Sequence, residues 1–138
     1  MSSARLFAAL ACVTVLGGVG SAHHSVVGYD RTKTVEVKGN VAEWRWRNPH
    51  CFLVLDVKDR EGHVVQWIGE TNSTLTLQSA GVSRTAFKAG DELTVVMFPN
   101  LKGLPQGVIQ KIVAADGKVL LDQSGLEGPA SAVYGTGR

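Results

Sequence analysis

The sequence predicts a mainly β protein, a small five-stranded OB-like barrel with one short helix between strands 3 and 4. Three observations carry that expectation. Runs alternating apolar and polar residues dominate the chain. The first run is long and broken by Gly39, and a glycine inside a strand marks a bulge or bend that lets one sheet curl. After the third run the period changes, leaving a short helix before two further strands, the layout of an OB-type barrel. A small open β-sandwich is the main competitor. Composition agrees: 138 residues suit one domain, and a hydrophobic share of 44% excludes wholesale disorder. With 14 Lys and Arg against 12 Asp and Glu, there is no basic footprint for nucleic acid.

The first strand begins at Thr34-Val35-Glu36-Val37, bends at Gly39 and resumes from Val41 to Arg47. Trp44 and Trp46 then share one face, and Arg45 and Arg47 the other. We read the tryptophans as core and the arginines as a solvated stripe. Asn48-Pro49 ends the strand, since proline cannot donate to the ladder. The second strand runs from His50 to Lys58 with Cys51, Leu53, Leu55 and Val57 on one face. Asp59-Arg60-Glu61-Gly62 turns the chain into a third strand, His63 to Glu70, built on Val65 and Trp67.

Asn72 or Ser73 caps a helix from Leu75 to Ala80, which Gly81 stops. Lys88-Ala89-Gly90-Asp91 turns into the fourth strand, Glu92 to Phe98, and Pro99 to Gly107 is a loop. The fifth strand covers Val108 to Ala114, and Asp116-Gly117 leads to a short terminal strand at Lys118 to Leu121. Residues 124–138 are rich in Gly, Ala and Ser, without periodicity, and are expected to be a disordered tail.

Residues 1–22 read as a signal peptide. Arg5 is the positive start, Leu6 to Leu16 the apolar stretch, and Gly20 and Ala22 the small residues before the cut. The apolar run is too short for an uncleaved anchor. Cleavage leaves a domain over 23–123 that is periplasmic or secreted, with no membrane insertion afterwards. It also leaves Cys51 alone, so no internal disulfide forms. Cys51 reads as a small core residue.

Cleavage after Ala22 makes His23 the first residue. Its α-amine gives up a proton to a metal at lower cost than a lysine amine does, and amine and imidazole together close a chelate ring. A further imidazole, from His50 or His24, completes a nitrogen set that favours copper. His50 is the better third ligand, because the Asn-Pro corner fixes its direction, opposite to Cys51. His63 follows a turn and reads as a solvated loop histidine. The competing reading makes His23-His24 a frayed end and His50 a backbone-capping residue. Glu43, Asp56 and Glu70 show no spacing that argues acid–base chemistry. No nucleophile elbow, phosphate loop or dinucleotide fingerprint is present in the sequence.

The His23-His24-Ser25 start, Trp44-Arg45-Trp46-Arg47-Asn48-Pro49-His50, Leu55-Asp56-Val57 and Phe87-Lys88-Ala89-Gly90-Asp91-Glu92-Leu93 resemble a family of small exported bacterial proteins of unknown function. The likeness spans His23 to Leu121. It implies an exported OB-like barrel opening on His-His-Ser and carrying Trp-x-x-Asn-Pro-His, and supplies no catalytic residue. Cys51 departs from the pattern, where an aliphatic or small residue is expected. The ligand set is similar to the histidine brace of some copper carriers and oxygenases. The expected activity is therefore binding of a metal ion or small ligand, with copper held by His23, His24 and His50 and a possible periplasmic partner protein. The alternatives are a metal-free binding module that uses the loops after residues 58 and 98, and a copper-dependent oxidative enzyme.

Overall fold

In the computed structural model, which describes residues 28–124, strands follow the alternating runs closely. They are β1 (Val35–Arg45), β2 (Phe52–Lys58), β3 (Val64–Glu70), β4 (Glu92–Pro99), β5 (Gln106–Ala114) and β6 (Val119–Asp122). The helix α1 (Thr74–Ser79) lies between β3 and β4. The signal peptide, His23, His24 and the tail from residue 125 onward lie outside the described residues.

The first strand is shared between two neighbours. Val35 to Asn40 pair antiparallel with β4, and Asn40 to Arg45 pair antiparallel with β2. That exchange of partners along one strand curls the sheet. β3 then pairs parallel with β5 through Ile68–Gln106, Gly69–Gly107 and Glu70–Val108, which closes a five-stranded barrel in the expected OB-like order. β6 is an extra strand that pairs with β5 alone in the sheet order.

The expected break at Gly39 takes a different form. The ladder irregularity falls between Val41 and Glu43, one turn of the pleat later. Gly39 instead marks a close approach: a Cβ there would lie 2.6 Å from the Asp56 carbonyl oxygen. β1 also stops at Arg45, so Trp46 and Arg47 belong to the corner, and Pro99 joins β4 where a loop was expected.

The core collects the inward positions of β1, β2, β4, β5 and β6: Val37, Val41, Leu53, Leu55, Leu93, Val95, Met97, Ile109, Ile112 and Leu121. Cys51, Leu77 of α1, Val82 and Phe87 complete it. Of the two expected caps, Asn72 and Ser73, it is Ser73 that caps α1 through its side chain, and Gly81 follows its end with φ +82°. All three tryptophans pack against the core. Trp44 meets Phe87 edge-on at 5.0 Å and donates its indole N–H to the Ser83 carbonyl. Arg45 pairs with Glu43, and the Arg47 guanidinium lies over the Phe52 ring at 5.0 Å.

Candidate functional site

The corner between β1 and β2 positions the first site residue. Asn48, which precedes a cis bond to Pro49, accepts with Oδ1 from the Thr74 N–H at 3.1 Å and the Thr74 hydroxyl at 2.9 Å. Beyond it, Cys51 N–H donates to the Asn72 carbonyl, and Thr71 N–H donates to the Cys51 carbonyl. The β2–β3 ladder therefore continues past both strand ends. Cys51 points inward and is fully buried, its thiol 3.4 Å from the Arg47 carbonyl it donates to. Burial pushes that thiol up from its ordinary pKa. By alternation His50 points the other way, with Phe52.

Glu70 stands opposite Phe52 in the β2–β3 register. Its carboxylate therefore reaches the outer face on which His50 sits, and Oε1 contacts Nδ1 of His50 directly. The Glu70 side chain is 8% exposed and that of His50 is 25% exposed. The carboxylate is thus the buried partner and the imidazole the accessible one. The other oxygen, Oε2, lies 3.5 Å from the Tyr29 hydroxyl, which donates to it. Desolvation, and then the charge and hydrogen bond of Glu70, raise the Tyr29 phenol above its ordinary pKa.

Tyr29 is where the described chain joins the barrel. It bridges Asn100, the Asp30 N–H donates to the Pro99 carbonyl at 2.8 Å, and the Leu101 N–H donates to the Gly28 carbonyl at 2.8 Å. The loop after β4 carries exposed Leu101 and Leu104 beside this junction. One rim of the barrel thus gathers the start of the described chain, Glu70 and His50.

Of the expected ligands, His50 lies at this rim, while His23 and His24 fall outside the described residues. Within the described residues the rim offers one imidazole and one carboxylate, a partial donor set that suits a nitrogen-bound metal only if completed from elsewhere. Sequence reasoning missed Glu70. The signal was present in the hairpin register: a turn centred on Asp59–Gly62 sets Phe52 against Glu70 and leaves His50 diagonal to it. His63 is exposed on that turn beside Asp59 and Glu61, as its solvated reading requires. No helix among the described residues is long and apolar enough to cross a membrane.

A model described as a family of unknown function, DUF6152, matches residues 9–110. The chain belongs to this family. No curated protein and no solved structure matches it. The DUF6152 match takes in Tyr29, His50 and Glu70 and runs into β5, and it assigns no activity to any of them. It agrees with the expected family of unknown function, and it leaves the His-His-Ser start and the tryptophan motif as readings of this sequence alone.

Proposed function

We propose that this member of DUF6152 is an exported copper-binding protein of the periplasm or extracellular space. Cleavage after Ala22 frees the His23 amine, and that amine, the His23 imidazole and the His50 imidazole hold one Cu(II) ion, with His24 as the alternate third ligand. One observation supports this reading above the others. Tyr29, through which the chain joins the barrel, touches the same carboxylate that contacts His50. Five residues lie between His23 and Tyr29, and the six steps span at most ~22 Å, a length of chain that suits a His23 ligand at the His50 rim. The proposed activity is storage, delivery or sensing of copper.

Two measurements test it. The intact mass of the exported protein is expected to correspond to a chain that starts at His23. Isothermal titration of that chain with Cu(II) is expected to show tight one-to-one binding, which acetylation of the His23 amine abolishes and His50→Ala weakens. Indifference to acetylation of that amine overturns the copper reading and favours the metal-free module, whose surface would include exposed Leu101 and Leu104. An unchanged affinity in His50→Ala alone transfers the third position to His24.

A further inference from the structure

We infer that Glu70 is the positioning residue of His50, fixing the imidazole with Nδ1 protonated and turned inward so that Nε2 presents its lone pair at the rim. The metal this would serve rests on the copper reading; the orientation of the imidazole does not. A carboxylate has only acceptors, so the ring nitrogen that contacts Glu70 Oε1 carries a hydrogen. A neutral imidazole has one such hydrogen, and the second nitrogen is then left as the basic one. Among the described residues no hydrogen-bond partner meets Nε2, and the ring is the accessible member of the pair.

The carboxylate is itself held from two sides. Glu70 follows Gly69, which takes part in the β3–β5 seam, so its backbone is fixed by barrel closure. Its side chain is 8% exposed, and a buried carboxylate needs partners. His50 takes Oε1, and the Tyr29 hydroxyl donates to Oε2 at 3.5 Å. Rotating the imidazole to present Nδ1 outward would leave Glu70 with a long phenol contact alone. This is the arrangement by which a carboxylate orients a metal-binding histidine and fixes its tautomer. In free imidazole side chains the proton prefers Nε2, so the opposite tautomer in this protein is a distinctive signature.

Nitrogen NMR of the metal-free protein, with labelled histidine and at a pH where His50 is neutral, reads that signature directly. The expected wild-type spectrum shows the His50 proton on Nδ1. Glu70→Ala is expected to move it to Nε2 and to lower Cu(II) affinity about 10–100-fold, whereas Glu70→Gln, which keeps an acceptor, retains the wild-type tautomer. A wild-type proton on Nε2 overturns the inference, as does a Glu70→Ala protein with unchanged tautomer. If Glu70→Ala fails to fold, the wild-type spectrum still decides. A wild-type proton on Nδ1 in a protein that ignores copper supports the positioning role and overturns the copper reading separately.

Discussion

At the scale of single residues, adjacent positions 50 and 51 divide the work of the corner. Cys51 faces the core with no exposed surface, and His50 faces the rim. The nucleophile of cysteine chemistry is the thiolate, and burial both raises this thiol's pKa and screens it from reagents. Cys51 is accordingly expected to resist a thiol reagent in the native protein and to react at the rate of unfolding when denaturant is added. Fast reaction under native conditions would contradict the burial. Cys51→Ala removes one packed heavy atom and is expected to cost about 1 kcal/mol in urea unfolding. Both orientations were legible in the sequence, because strand alternation sends neighbouring side chains to opposite faces. Glu70 was not read as a site residue, because its role depends on which strand lies opposite and in what register. The Asp59–Gly62 turn sets that register, but it shows only when β2 is folded back on β3, not in any spacing between carboxylates.

At the scale of elements, α1 shows how much a short helix depends on its surroundings. Six residues cannot sustain a helix in water, and this one is held by a buried Leu77 and by its caps. Ser73 supplies the local cap, while Asn48 accepts from both donors of Thr74 across 26 positions of sequence. Asn48→Ala leaves those donors without their acceptor and is expected to cost about 1–2 kcal/mol in urea unfolding. It also frees the corner that carries His50, so the His50 resonances are expected to shift more than those of His63. Equal shifts would mean that the corner is held by other means. The change of period, the serine cap and the glycine stop were all readable from local chemistry. The second cap was not, since Asn48 looks locally like a strand terminator. Likewise Gly39 correctly announced an anomaly in β1, but the glycine serves a close approach to β2 and the ladder slips at Val41/Glu43.

The whole molecule depends on one seam. Four antiparallel pairings join the strands β1 to β5 into a curled sheet, and the parallel contact of β3 with β5 turns it into a barrel. Gly69 and Gly107 face each other in that contact, and neither has room for a side chain. A Cβ on Gly69 would lie 2.7 Å from the end of Ile109, which a rotation about its χ angles can move. A Cβ on Gly107 would lie 2.6 Å from Met97 Cβ and 2.8 Å from the Phe98 carbonyl oxygen, both fixed to the backbone of β4. Gly107→Ala must therefore push strands apart, while Gly69→Ala displaces a side chain. The expected order follows: Gly107→Ala destabilises by about 1–3 kcal/mol, the usual cost of overpacking, and Gly69→Ala by less. Because Glu70 pairs with Val108 one step beyond the glycines, opening the seam also loosens the carboxylate that orients His50. Gly107→Ala should consequently disturb the His50 tautomer signal in protein that is still folded, and chemical denaturation beside nitrogen NMR reads both effects on one sample. Loss of stability with an undisturbed His50 would show that the rim is built independently of barrel closure.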